Sequence, residues 1–283
     1  MAKTILVTGA TSGIGRATAL DLAARGHQVI ATGRNETALA TLAEVPNIKT
    51  ARLDVTSQES IAQICQVVDE LTDGKGIDVL VNNAGTNQGG PVELVSDADV
   101  RAQFDTNFFG VLSVTRAFIP QLRTKGAGRI INISSMVGRI SMPLTGIYNA
   151  SKHALEAASD ALRIELKPFG IDVVLIEPGM TKTELGDKMM EGMQPYRQPN
   201  TPYYSVMKDM EKWEQRAEQM YADATSVSSV VVHAVEANRV RARYIPGFMN
   251  KVSVRLLRNT PTFISDALFR AATGLTKRKL QLG

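Results

Sequence analysis

Short apolar runs and helix-period segments alternate along this chain. Thr4–Thr8, Gln28–Thr32, Ile48–Leu53, Val79–Asn82, Arg129–Ser134, Asp172–Ile176 and Arg243–Ile245 are brief stretches dominated by strand formers. Between them, 14–25, 36–44, 58–72, 97–124, 149–167 and 225–238 repeat apolar residues every three or four positions, the spacing of a helix buried along one side. Near-continuous apolar strands are covered on both faces, so the pattern predicts a doubly wound parallel α/β sheet with ligands above the carboxyl ends of its strands. No repeat or linker divides the chain, which reads as one domain over residues 1–283. One segment breaks the alternation. Residues 182–222 hold six of the eleven methionines together with Pro195, Pro199 and Pro202.

Composition narrows the class. The 44% hydrophobic share over 283 residues is ample for a core. No apolar run is long enough to span a bilayer, and Met1-Ala2-Lys3 leads straight into a strand, so neither a membrane span nor a signal peptide is expected. The lone Cys65 forms no internal disulfide and fits a reducing, cytoplasmic setting, where it packs with Ile61, Ile64, Val68 and Leu71 on one helical face. His27, His153 and His233 are scattered, and no metal site is predicted. Net charge is +4, but residues 239–283 carry ten Lys/Arg and one acid, leaving the remainder net negative. That basic extension is either a solvated tail or a docking surface for an anionic membrane or a partner subunit. No aromatic-interleaved basic motif points to nucleic acid.

Candidate chemistry lies at the strand ends. The first strand runs into Gly9-Ala10-Thr11-Ser12-Gly13-Ile14-Gly15 and then into a helix. Bare backbone there admits a close ligand, and the free N–H groups of a helix start favour a pyrophosphate. Tyr148 and Lys152 stand four residues apart, on one face of a helix. A neighbouring cation favours the phenolate and lowers a value ordinarily near ~10. Ser135 closes an apolar run thirteen residues before Tyr148 and fits a hydroxyl partner better than Ser134.

These motifs together resemble the short-chain dehydrogenase/reductase family in its compact branch. The likeness covers Thr8-Gly9-Ala10-Thr11-Ser12-Gly13-Ile14-Gly15, Leu53-Asp54-Val55, Asn82-Asn83-Ala84-Gly85, Asn107, Ser135, Tyr148-x-x-x-Lys152 and Pro178-Gly179, in order along nearly the whole chain. It implies a Rossmann fold, a nicotinamide cofactor and a catalytic set of Asn107, Ser135, Tyr148 and Lys152. By that resemblance Tyr148 passes a proton to or from the substrate oxygen and Ser135 holds that oxygen. Lys152 binds ribose and depresses the Tyr148 pKa, and Asn107 holds a water behind Lys152. Gly9, Ser12, Gly13, Ile14 and Gly15 would cradle pyrophosphate. Asp54 and Val55 would meet adenine, Asn83 would steady the adenosine side, and Pro178, Gly179 and Thr181 would grip the nicotinamide. The resemblance also implies a homodimer or homotetramer paired through the helices carrying Asn107 and Tyr148, and makes 182–222 a substrate lid.

The tip of the second strand chooses between cofactors. Gly33-Arg34-Asn35 carries no carboxylate to accept from a ribose diol, and Arg34 suits a 2′-phosphate, so NADP(H) is expected over NAD(H). Met136, Val137, Met142, Leu144 and Met180 predict an apolar substrate wall, with Arg139 facing solvent. A hydrophobic ketone or aldehyde reduced to its alcohol fits best. Oxidation of a steroid- or retinol-like alcohol is the alternative, because the stretch after Arg243-Tyr244-Ile245-Pro246-Gly247 resembles the 17β-hydroxysteroid and retinol dehydrogenase-like subgroup. A non-catalytic NADP(H) sensor would keep the glycines and lose Tyr148 or Lys152, and both are present.

Overall fold

Successive residues of the first strand, β1 (Thr4–Val7), point to opposite sides of a sheet, and two apolar layers form accordingly. Ile5 and Val7 enter a cluster with Ala19, Leu22, Val227 and Val231, whereas Leu6 joins Ile61, Ile64, Phe118 and Leu122 on the other face. The remaining strands are β2 (Gln28–Gly33), β3 (Ile48–Arg52), β4 (Val79–Asn82), β5 (Gly128–Ile133), β6 (Ile171–Ile176) and β7 (Arg243–Tyr244). They lie in the order β3-β2-β1-β4-β5-β6-β7, every pair parallel. The chain winds outward through β2 and β3, then returns to β4 beside β1, which opens a crevice at their carboxyl ends. This computed structural model describes residues 2–209 and 221–280. Its doubly wound parallel sheet is the fold expected.

The helices that cover the sheet are α1 (Gly13–Ala24), α2 (Glu36–Ala43), α3 (Gln58–Leu71), α4 (Asp97–Phe104), α5 (Val111–Lys125) and α6 (Gly146–Leu166), with α9 (Ala224–Glu236) packed beside α1. Side-chain caps fix three of their starts: Asn35 accepts from Ala38 N, Ser57 from Ser60 N and Ser96 from Asp99 N. The expected single helix over 97–124 is interrupted. Residues Asp105–Gly110 form a π-helical turn between α4 and α5, and Asn107 sits in it, fully buried. A polar ladder ties both later helices to the sheet: Asn82 Nδ2 donates to Thr115 Oγ1 and Asn132 Oδ1, each at 2.9 Å, and Asn132 Nδ2 donates to Ser159 Oγ at 2.9 Å. Burial makes each of these bonds costly to leave unmade.

Beyond β6 the chain adds α7 (Glu184–Met193), α8 (Tyr204–Met207), α10 (Phe248–Asn259), α11 (Thr262–Thr273) and α12 (Lys277–Leu280). The last three occupy the stretch read above as either a solvated tail or a docking surface. Met190, Met193 and Met207 are buried with Val95, Leu144, Tyr196 and Val206 in a third cluster, and of these three methionines Met193 alone also lines the cleft. Met210 and Met220, also assigned to the 182–222 segment, lie outside the described residues. Among the described residues no helix is long and apolar enough to cross a membrane.

Candidate active site

The crevice above β1 and β4 is a cleft of about 950 Å³. One end is built by the glycine turn. Gly9 (φ 62°) and Gly13 (φ 51°) take left-handed backbone that a side chain would strain, and a Cβ at Gly9 would lie 2.7 Å from Ala84 Cα. Gly15 does not line the cleft; its missing Cβ lets α1 pack on the turn, 2.3 Å from where Gly9 O stands. Ser12 makes no side-chain cap on α1, and the first turn holds no acid, so the N–H groups and the helix dipole are left for an anion. Asn83 locks this turn from β4: its Nδ2 donates to Thr8 O at 3.0 Å and Gly9 O at 2.9 Å, and its N–H donates to Thr8 Oγ1 at 3.0 Å.

Arg34 follows the end of β2 with its side chain 67% exposed and its Nη1 3.9 Å from Asp54 Oδ2. Burial alone would push the Asp54 carboxyl up. Two bonds from Thr56 to Oδ1, at 3.0 Å and 2.7 Å, with Arg34 and Arg52 nearby, hold it below the usual carboxylate range. Val55, Asn83, Pro178, Gly179 and Thr181 line the same cleft. Pro178 O accepts from Met136 N at 2.9 Å, and Thr181 Oγ1 donates to Gly179 O at 3.0 Å, which fixes the turn after β6.

At the other end Tyr148, Lys152 and Ser135 converge. Tyr148 lies in the first turn of α6, and Lys152 one turn on. The expected lowering of the phenol is not found: burial pushes Tyr148 up to about 12, opposed by a hydrogen bond from Ser135. Burial also brings the Lys152 ammonium down to about 8, with Glu156 opposing. Lys152 Nζ donates to Ile133 O at 2.9 Å and stands 5.7 Å from the Tyr148 ring centre, so its charge is engaged by the end of β5. Ser135 opens the short 3-10 turn Met136–Gly138 and accepts from Val137 N at 3.3 Å. Asn107 does not line the cleft. Its side chain clasps Thr86, accepting from the N–H at 2.8 Å and donating to the C=O at 2.9 Å, and donates to Ser151 Oγ at 3.2 Å. Asn107 Oδ1 and Lys152 Nζ both lie near Gly85, 3.4 Å and 3.9 Å from where its Cβ would stand.

Sequence reading missed a charge cluster beneath this end. Tyr148, Lys152, Glu156 and Asp160 descend one face of α6 at four-residue steps. Arg243 of β7 reaches Glu156 Oε2 and Glu177 Oε1, each at 3.0 Å, and Asp160 Oδ2 at 2.6 Å. Arg139, expected to face solvent, instead pairs with the fully buried Glu177 at 3.1 Å, because that carboxylate has no water to hold it. Burial, with Glu156 adding repulsion, pushes Glu177 up to about 7. Among the described residues no cluster of His, Cys, Asp or Glu assembles to hold a metal.

The substrate side is walled by Met136, Val137, Met142, Leu144, Met180 and Met189. Lys188 and Lys279 line it too, unforeseen, and Lys279 pairs with Asp209 at 2.9 Å. Asn250 of α10 also lines it, packed so closely on Gly179 that a Cβ there would lie 2.6 Å from Asn250 Nδ2.

A seven-stranded parallel sheet with a glycine turn and a Tyr–Lys pair at its carboxyl edge defines a dinucleotide-dependent oxidoreductase scaffold. A profile of the family described as short chain dehydrogenase matches residues 3–194, and the chain belongs to the short-chain dehydrogenase/reductase family. It is 34% identical over 246 residues to the NADPH-dependent 3-dehydrocapnine reductase of Ornithobacterium rhinotracheale, covering 85% of this chain and 86% of that one. It is 35% identical over 283 residues to retinol dehydrogenase 16 of Homo sapiens, covering 94% and 87%. Its fold superposes with TM-score 0.78 on a short chain dehydrogenase/reductase from Burkholderia phymatum in complex with NAD, at 28% identity over 90% of this chain and 92% of that one. The chain is an oxidoreductase of this family, whose relatives use NAD or NADP.

Proposed function

We propose that the chain is an NADP(H)-dependent oxidoreductase that interconverts a hydrophobic ketone or aldehyde with its alcohol. One observation carries the reading: the proton-handling side chains Tyr148 and Ser135 share a single cleft with a glycine-turn anion site and the phosphate-suited Arg34. The residues fit a dinucleotide. The glycine turn and start of α1 hold its pyrophosphate, Arg34 a 2′-phosphate, Asp54 and Val55 the adenine, and Pro178, Gly179 and Thr181 the nicotinamide. When bound, the nicotinamide supplies or accepts the hydride at the substrate carbon.

Tyr148 gives its phenolic proton to the substrate oxygen, or takes one in the reverse direction. Ser135 donates to that oxygen and stabilises the charge that grows there. Lys152, held at the end of β5 by Ile133 O, binds ribose hydroxyls. Asn107 keeps the 83–88 loop and Lys152 in register through its grip on Thr86. The methionine-lined wall and the described part of the lid, 182–209, exclude water and admit an apolar body. Two copies pair through α4–α5 and α6. The retinol dehydrogenase relative favours a second reading, oxidation of an apolar alcohol by the same residues run backwards.

Tyr148→Phe removes one oxygen and is expected to lower kcat by about a hundredfold or more, while NADPH fluorescence enhancement on binding persists. Turnover retained within about threefold of wild type, against that hundredfold expectation, would overturn the proton-transfer role. A screen of graded ketones, aldehydes and alcohols with both cofactors reads the substrate class and direction.

A further inference from the structure

The last two long helices turn apolar residues toward solvent. On α10, Phe248 is 76% exposed and Leu256 66%, with Met249 and Val252 beside them. At the helical repeat these four fall within an arc of about 100°. The opposite side carries Val254, the one buried residue of α10, and Asn250, which sits against Gly179. On α11, which has no buried residue, Phe263 is 73% exposed and Leu268 54%, with Ile264 between them. Amphipathic helices that complete a core face their apolar stripe inward; these face it outward.

Charge accompanies the stripe. Lys251, Arg255 and Arg258 run along α10 at the edge of its apolar arc, all exposed, and Arg270 follows on α11. Residues 239–283 hold ten Lys/Arg and only Asp266 as an acid, on a chain otherwise net negative. The same two helices stand at the cleft, which Asn250, Ala271, Ala272 and Thr273 help to line.

We propose that α10 and α11 form a peripheral platform that seats the mouth of the cleft on an anionic phospholipid bilayer. The apolar side chains enter the acyl boundary while the basic ones lie among the phosphates, their stems along the apolar surface. An amphiphilic carbonyl or alcohol then passes between bilayer and cleft without crossing water. A second copy of this chain fits less well. A two-fold contact through this face would set Lys251, Arg255 and Arg258 against their own equivalents, with Asp266 the sole acid to oppose them. The platform goes beyond the proposed reaction and stands whichever direction that reaction runs.

The test is sedimentation of the full chain with phosphatidylcholine vesicles containing phosphatidylglycerol, beside vesicles of phosphatidylcholine alone. Binding is expected to the anionic vesicles and to weaken with salt. Phe263→Glu with Leu268→Glu is expected to abolish it, and Arg255→Glu to reduce it at least about fivefold. Both variants should keep wild-type NADPH binding, since none of these residues lines the cleft. No sedimentation with anionic vesicles, or sedimentation undiminished in the double variant, overturns the platform. If the double variant instead splits a dimer seen by light scattering and wild type ignores vesicles, the face is a subunit contact and the proposal fails. Vesicle binding is read without substrate or cofactor, so its failure is separate from any failure of the reaction proposed above.

Discussion

Truncating Arg34 to alanine separates phosphate recognition from every other part of the cleft. The guanidinium follows the carboxyl end of β2 and caps no helix; Asn35 performs that task for α2. A hydrogen bond between charged partners contributes about 1.5–3 kcal/mol. With the Arg34 side chain 67% exposed, water and salt keep the value near the lower end. Roughly 1.5 kcal/mol corresponds to about a tenfold weaker hold on NADPH. Asp54 deepens the loss. Its carboxylate, kept ionised by Thr56, stands 3.9 Å from the Arg34 guanidinium, and once that cation is gone it repels a 2′-phosphate with Arg52 left to offset it. NADH carries no such phosphate, so its KM is expected to move less than about twofold. NADPH fluorescence titration and initial rates with both cofactors, repeated at high ionic strength, measure the difference, which should shrink as salt screens it. Equal loss with NADPH and NADH would show that Arg34 reads no phosphate.

Two further outcomes follow from backbone and burial. Gly9→Ala forces a side chain into left-handed backbone, about 1–2 kcal/mol, and against Ala84 Cα at 2.7 Å; its melting temperature should drop by about 4 °C or more together with NADPH affinity, whereas a Tm within about a degree of wild type would contradict the packing described. Glu177, raised from 4.5 to about 7, contributes stability that is fully present below about pH 4.5 and is lost as pH climbs through about 7. Glu177→Gln should therefore flatten the decline of Tm between about pH 5 and 8, and melting curves that fall in parallel for both proteins would show that Glu177 titrates outside that window.

The sheet was legible because the central strands β1, β2, β4, β5 and β6 are buried runs dominated by apolar residues, and the more polar β3 and β7 also fall where strand candidates were placed. Ser135, Tyr148 and Lys152 were legible for a related reason: short-range spacing on one strand end and one helix face survives folding unchanged. What the chain concealed depends on distance or on hydrogen-bond register. Arg139, Glu156, Glu177 and Arg243 are remote in sequence and meet beneath the cleft only because β5, β6, β7 and α6 are neighbours. The turn at Asp105–Gly110 keeps the apolar spacing of an ordinary helix and differs in which carbonyl each N–H finds. Helices α10 and α11 were not placed as helices in a stretch read as either a solvated tail or a docking surface, since Val254 aside their apolar residues turn outward, and the Lys152 charge was assigned to Tyr148 when Ile133 O also claims it.

The π-helical turn has a consequence for how this polypeptide tolerates change in length. Such a turn spans one residue more than an α-helical course, so removing any one residue of 105–110 would let the backbone relax into a regular helix. Because the π-turn takes up that extra residue within a single revolution, its loss would leave α5 in nearly the same angular register, with Val114, Phe118 and Leu122 still facing the sheet, and would disturb chiefly Asn107 and its clasp on Thr86. A single codon lost here would thus spare the packing of α5 and strike the loop that Asn107 holds, whereas one lost within the regular turns of α5 would rotate everything after it by about 100°.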